Sequence, residues 1–243
     1  MRILHIDIET APNIAHVWGL WQQNVSLSQL RESSWMMCFA AKWHGERKVN
    51  FWRADDPDML AAAHELMSAA DVLVHYNGKR FDVPTLHKEF LLAGMKPPAP
   101  SQQIDLLEVV KRRFRFPSNK LDYVATALGI GSKVKHEGHE LWVKCLAGDD
   151  TAWRTMERYN KQDVRLLETL YLALRPWITN HPHTGLLADD TTVCPNCGGE
   201  DLRREGYAFT AVGKFQRYQC RGCGVWTRSG RSLIRADQRG VAA

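Results

Sequence analysis

The sequence predicts an α/β fold, a mixed sheet flanked by helices, followed by a small β-rich module. Three observations predict it. Short β-branched, alternating segments lie near the start, Ala- and Leu-rich or amphipathic segments separate and follow them, and two Cys-x-x-Cys pairs stand near the C-terminus. A chain of 243 residues has room for one substantial core and a small second one.

Residues 2–9 alternate and are rich in β-branched side chains, so they read as a strand. Residues 10–34, with Pro12, Trp18, Gly19 and Trp21, read as a long surface connection. Residues 35–43 and 49–52 predict two further strands joined at a turn containing Gly45, a hairpin. Residues 58–70 predict a helix and residues 71–75 another apolar strand. A polar turn then leads to a helix over 83–92, which ends before Pro97-Pro98-Ala99-Pro100. The second half predicts helices over 106–114, 121–128, 139–146 and 151–174. In the last of these Met156, Tyr159, Asp163, Leu167 and Leu170 fall on or near one stripe. A three-strand meander, a helix, a parallel strand and then more helices describes an α/β fold of the RNase H-like kind. The domain reading is 1–178 for this unit, 179–190 for a linker, 191–235 for the β-rich module and 236–243 for a disordered tail.

The hydrophobic fraction of 44% and charged fraction of 24% are those of an ordinary globular protein. No apolar run approaches the ~20 residues that span a bilayer. Asp7 interrupts what a signal peptide would keep apolar, so a cytoplasmic location and no membrane partner are expected. Residues 191–243 hold nine Lys and Arg against four Asp and Glu, the whole net charge of +5. Concentrated positive charge suits a polyanion, because neutralising phosphates releases counterions.

Three short motifs carry acids. In Asp7-Ile8-Glu9-Thr10 the two carboxylates are i and i+2 on a strand and share a face. In His75-Tyr76-Asn77-Gly78-Lys79-Arg80-Phe81-Asp82 a strand runs into a Gly turn, and Asp82 opens the next helix. In Tyr159-Asn160-Lys161-Gln162-Asp163 the outer pair is i and i+4, one helical turn apart. Asp163 stands between residues that face the core, an expensive place for an unpaired charge. Two carboxylates ~4 Å apart repel by roughly 4 kcal/mol at an effective dielectric of about 20. Four acids brought together therefore need cations, and hard oxygen ligands favour Mg²⁺ or Mn²⁺. Two such ions clamp the attacking and leaving oxygens of a phosphoryl displacement.

These motifs, in this order and spacing, resemble those of the DEDDy branch of the DEDD 3′–5′ exonucleases, which include polymerase proofreading domains and have an RNase H-like fold. Asp7 and Glu9 match the first motif, Asp82 the second, and Tyr159 with Asp163 the third. Lys120-Leu121-Asp122-Tyr123-Val124-Ala125 and Leu128-Gly129-Ile130 resemble the helical segment before the third motif. The resemblance implies two catalytic metal ions. Asp7 bridges both, Glu9 and Asp163 help hold the ion that binds the attacking water, and Asp82 serves the second ion through water. Tyr159 orients the attacking water. It implies a nuclease acting on single-stranded DNA or RNA 3′ ends, DNA slightly ahead, with a replication or repair protein as a possible associate. The competing readings are a structure-specific or endonucleolytic enzyme on the same metal site, and a non-catalytic nucleic-acid-binding adaptor.

Other residues are read more plainly. Asn77 is first a turn residue. Lys79 and Arg80 are solvated loop charges or phosphate contacts. Trp18 and Trp21 are packing residues before they are base-stacking rings. Asp105 and Asp122 are structural or solvent-facing, and His136-Glu137-Gly138-His139-Glu140 is surface. Cys38 and Cys145 are buried thiols. Cys194-Pro195-Asn196-Cys197 and Cys220-Arg221-Gly222-Cys223 have metal-ligand spacing, and four thiolates satisfy one structural Zn²⁺. Between them Tyr207, Phe209, Phe215 and Tyr218 mix with Lys214 and Arg217, and the segment resembles a zinc ribbon that grips nucleic acid or docks a protein.

Overall fold

The central strand β1 (Ile3–Thr10) turns Leu4, Ile6 and Ile8 to one side, into a core shared with two helices. In the computed structural model, which describes residues 1–187 and 189–240, the chain divides into two units, residues 2–172 and residues 173–243 with Met1. In the first unit β1 is followed by a short hairpin, β2 (Ile14–Ala15) and β3 (Leu30–Glu32). Then come β4 (Met36–Trp43), β5 (Asn50–Arg53), α1 (Met59–Ser68), β6 (Val72–His75) and α2 (Asp82–Leu92). β7 (Gln102–Asp105), α3 (Leu106–Arg113), α4 (Leu121–Ala127), α5 (His139–Leu146) and α6 (Asp150–Leu174) complete the series.

The five-stranded sheet has the order β5-β4-β1-β6-β7. β4 and β5 run antiparallel to their neighbours, and β6 and β7 run parallel. This is a mixed α/β fold of the RNase H-like kind. The β2–β3 hairpin lies within the stretch read as a connection, and in the five-stranded sheet one strand exceeds the sequence reading. β7 has only Ile104 as an aliphatic residue and lies at the sheet edge, so its polar Gln102 and Gln103 hide it from an alternation test.

Alternation along β1 assigns a role to each face. Leu4, Ile6 and Ile8 pack with Met59, Ala63 and Met67 of α1 and with Val83, Leu86 and Phe90 of α2. Each fully buried aliphatic side chain there stabilises the fold by ~1.5–3 kcal/mol. His5, Asp7 and Glu9 point the other way, towards the face covered by α5 and α6. There Met37 and Cys38 meet Leu141, Cys145, Trp153, Met156 and Tyr159. Polar contacts fix α6 on this face. Glu168 pairs with Lys42 and accepts from the amide of Gly45 at 2.8 Å. The rings of His5 and His44 meet Tyr171 edge-on at 5.4 and 5.3 Å. Anchored there, α6 carries Asp163, five residues before Glu168, over β1.

Two packing expectations need correction. Trp18 and Trp21 are not packed: they are 98% and 85% exposed, because the hairpin they belong to has no core behind it. His136 is not simply surface, since its ring packs on Tyr159 at 4.7 Å and on Trp142 at 5.3 Å. Among the described residues no helix is long and apolar enough to cross a membrane.

In the second unit β9 (Gly213–Cys220) is paired with β8 (Leu202–Phe209) along one edge, and with β10 (Trp226–Arg228) and β11 (Ile234–Arg235) along the other, all antiparallel. The stretch read as a linker is tied to the first cysteine pair. Thr184 donates its amide to Pro195 O and its hydroxyl to Cys194 O, both at 2.9 Å. Of the stretch read as a tail, Ala236 still donates to Val212 O, and Val241, Ala242 and Ala243 lie outside the described residues.

Candidate active site

Carboxylate oxygens of Asp7, Glu9 and Asp163 lie within 4.8 Å of one another. The strand period puts the first two side by side, and the anchored helix brings the third. Asp82 joins from the N-terminus of α2. Its Oδ1 accepts from the amide of Ile8 at 3.1 Å, which ties that helix end to the strand between the two acids. Asp82 and Asp163 are buried, while Asp7 and Glu9 are half-buried.

The turn that presents Asp82 is held from behind by Asp105. Its carboxylate accepts from Asn77 N at 2.9 Å, Lys79 N at 3.3 Å and Leu107 N at 3.0 Å, the last capping α3. Asn77 has φ +69°, so it is the turn residue expected. A Cβ on Gly78 would stand 2.4 Å from His75 Cγ, so no side chain fits at that point. Asp105 is thus structural and buried, not solvent-facing. Asp122 is structural too, accepting from Lys133 N at 2.8 Å. Lys79 pairs with Glu108 at 2.6 Å, which occupies its ammonium.

Two residues that sequence reading missed complete the cluster. Lys133 Nζ donates to Asp163 and to the Tyr159 hydroxyl, the latter at 3.1 Å. Asn160 is fully buried, and its Nδ2 donates to Asp7 Oδ2 at 2.6 Å. The only sequence signal for Asn160 is a polar residue on the buried stripe of a long helix. Lys133 lies outside any regular element, and nothing in its neighbourhood marks it.

The electrostatics are those of crowded acids. Burial, then the charge of Asp163, pushes Asp7 well above the usual carboxylate range. Burial, with Asp163 adding, raises Glu9 to about 8. Burial raises Asp82 to about 7 although the amide of Ile8 opposes it. Asp163 rises from burial against the pull of Lys133. Burial would lower Lys133, but Asp163, Asp7 and Glu9 together outweigh it and the ammonium stays above its ordinary range. One ammonium cannot balance four carboxylates, and Asp163 Oδ1 is buried with no hydrogen-bond partner. Hard oxygen donors, an orphaned carboxylate oxygen and excess negative charge fit divalent cations.

Elsewhere, Cys194, Cys197, Cys220 and Cys223 bring their sulfurs within 4.8 Å of one another. Two of the separations, Cys194–Cys223 and Cys197–Cys220, are 3.7 Å. A tetrahedral ion with bonds of ~2.3 Å to sulfur sets its ligands ~3.8 Å apart, so the four thiols fit Zn²⁺. The pairs are built alike. Gly198 and Gly224 both have φ +74° and donate to Cys194 O and Cys220 O at 2.9 Å. Cys38 and Cys145 are buried thiols as expected, the first raised well above its ordinary value and the second to about 11, both by burial.

No curated protein matches this chain in sequence. In structure it is similar to the family B DNA polymerase from the hyperthermophilic archaeon Pyrobaculum calidifontis, with a TM-score of 0.56 and 19% identity. The match covers 87% of this chain and 31% of the polymerase, and at that identity it shows the fold alone. A family model matches residues 4–175, which span the sheet and every acid described above, and by that match the chain belongs to the RNase H superfamily.

Proposed function

We propose that the protein is a metal-dependent 3′–5′ exonuclease of the DEDDy kind, hydrolysing phosphodiester bonds at the 3′ end of single-stranded nucleic acid, with DNA slightly preferred to RNA. Membership in the RNase H superfamily supports a nuclease. The observation that carries the finer reading is the convergence of Asp7, Glu9 and Asp163 within 4.8 Å, with Tyr159 one turn before Asp163 on the same helix.

In this reading Asp7, Glu9 and Asp163 hold one Mg²⁺ or Mn²⁺, and Asp7 with Asp82 serves a second. When bound, the ions polarise the phosphoryl oxygens and make water acidic enough to attack near neutral pH. Asn160 keeps the Asp7 carboxylate in one orientation through its 2.6 Å bond. Burial, with Glu9 and Asp163, drives the Tyr159 hydroxyl far above its ordinary value. Tyr159 therefore keeps its proton and serves as an orienting donor, not a base. Lys133 offers its ammonium beside Asp163, where it can offset charge on the phosphate or the acids. The four cysteines hold one structural Zn²⁺, with no open position for chemistry.

The test uses 5′-labelled single-stranded DNA and RNA with Mg²⁺ or Mn²⁺, beside Asp7→Ala and an EDTA control. Stepwise shortening from the 3′ end, absent in both controls, is the expected result. Internal cuts would overturn the direction and leave an endonuclease. Binding without cleavage would overturn the enzyme and leave an adaptor.

A further inference from the structure

The metal-binding acids occupy only part of a larger concavity. The cleft that contains Asp7 has a volume of about 670 Å³ and extends past Tyr76 and Lys120 to Lys111 and Asn119. Lys111 and Asn119 also line a second hollow of about 420 Å³. Its remaining walls are Arg112, Arg113, Phe114, Arg115 and Phe116. The two hollows adjoin through the residues they share.

The second hollow is strongly basic and its charge is uncompensated. Lys111, Arg112, Arg113 and Arg115 are all exposed, and among the described residues none forms an ion pair. Glu108, the one acid on α3, is taken by Lys79. Cations in the last turn of a helix complement its dipole. That accounts for Lys111, Arg112 and Arg113 but not for Arg115, which lies beyond the helix. Nor does it account for the two aromatic rings in the same wall, Phe114 and Phe116, half-buried with centroids 5.8 Å apart. Alternating cations and aromatic rings in a groove are the chemistry of single-stranded nucleic-acid binding, where phosphates meet the charges and bases stack on the rings.

Direction follows from α3. Its N-terminal cap, Asp105, holds the turn beside the carboxylates, and its eight residues carry the chain ~12 Å further before the basic end is reached. We propose that Lys111, Arg112, Arg113 and Arg115, with Phe114 and Phe116, bind the single-stranded nucleic acid a few nucleotides upstream of the 3′ end held at the metal-binding acids. This rests on the nuclease reading for its polarity, while the binding itself can be measured without turnover.

The experiment compares wild type with the triple variant R112Q/R113Q/R115Q on 5′-fluorescein oligothymidylates of 4, 8, 12 and 20 nucleotides, in EDTA, over a range of salt. A thermal melt first checks that the variant is folded. Each phosphate contact on a single strand contributes ~0.7 to the slope of log K against log salt, so losing three should lower the slope by about 2. Affinity of the variant for the 12-mer should fall at least ~10-fold at low salt, with much less change for the 4-mer. F114A/F116A should weaken binding of thymidylate more than binding of an abasic strand of equal length. An unchanged salt slope in R112Q/R113Q/R115Q overturns the proposal. So does poly-glutamate of matched charge competing as well as the oligonucleotide, because the tract would then be a docking site for an acidic protein. A slope reduced as expected in a protein that hydrolyses nothing keeps the binding tract and overturns the catalytic reading. Hydrolysis with an unchanged slope does the reverse.

Discussion

Asp7 and Asn160, 153 positions apart, meet in the carboxylate cluster, whereas Cys194 and Cys223, 29 positions apart, meet in the thiol cluster. The first site is assembled by a core that exists without it. β1, β4, α2 and α6 each bury apolar side chains, and that packing brings the acids together. The second site has almost no core of its own. Among the described residues from 173 to 240 the buried apolar positions are Leu174, Ile178, Val193, Cys194 and Cys220. In one region the fold tolerates repulsion among its acids, which the proposed divalent cations would relieve. In the other there is little to bury besides the cysteines, and a bound Zn²⁺ would supply the larger part of the stability.

The largest expected effect separates these two relations at the carboxylates. Asp7→Ala or Asp163→Ala should lower hydrolysis by ~10³-fold or more, the scale of lost metal and electrostatic stabilisation. Circular dichroism and the melting temperature should stay near wild type, since the core does not depend on either acid. Full activity in either variant would remove the assignment. A collapsed fold would erase the contrast with the cysteines.

Chelation addresses the other side. Stripping zinc with a strong chelator should expose the backbone amides of β8 and β9 to hydrogen exchange while those of β1 and β4 stay protected. Apparent zinc binding energies of ~10–16 kcal/mol are enough to decide whether such a small sheet folds. Protection of β8 and β9 that survives complete zinc removal would show that the second unit stands without metal.

A smaller effect is expected at Tyr159. Replacing it by Phe removes one hydroxyl that Lys133 reaches at 3.1 Å and leaves the ring against His136 and Trp142. A loss of ~10–100-fold in kcat with little change in KM fits an orienting donor, worth ~1.4–2.7 kcal/mol in the transition state. A loss as large as that of Asp7→Ala would make Tyr159 more than a supporting residue.

The same contrast explains what could be read before the fold was known. Asp7 with Glu9, and Tyr159 with Asp163, are legible because strand and helix periods convert spacing into a shared face. The cysteine pairs are legible because their ligand geometry is local. Lys133 and Asn160 are not, because their importance arises only when distant segments touch. β7 escaped because a short edge strand can be polar. The basic tract at Lys111–Arg115 was hidden for another reason: residues 1–190 carry equal numbers of acids and bases, so a balance taken over the whole unit conceals a local excess. Trp18 and Trp21 are not legible, because an aromatic pair in a long loop looks like packing in sequence, whereas both rings are exposed.

The finest distinction concerns how much the carboxylates cost the metal-free fold. Glu9 is held at about 8 in the folded protein, chiefly by burial, against an ordinary 4.5 in an unfolded chain. The folded state therefore binds this proton more tightly than the unfolded state does. Its contribution to stability is complete below about pH 4.5 and is lost as pH rises through about 8. Asp82, raised to about 7, acts in the same sense. Metal-free protein should accordingly melt at lower temperature at pH 8.5 than at pH 5.5, by roughly 2–4 °C for each kcal/mol lost in a domain of this size. Mg²⁺ should restore the higher melting temperature at pH 8.5 and have less effect at pH 5.5, where Glu9 and Asp82 keep their protons. Glu9→Gln should flatten the metal-free pH dependence by removing one of the groups that produce it. A melting temperature that rises with pH in EDTA, or a Glu9→Gln profile parallel to wild type, would mean that the acids are not strained in the free protein, and the difference between the two sites would reduce to the size of their cores.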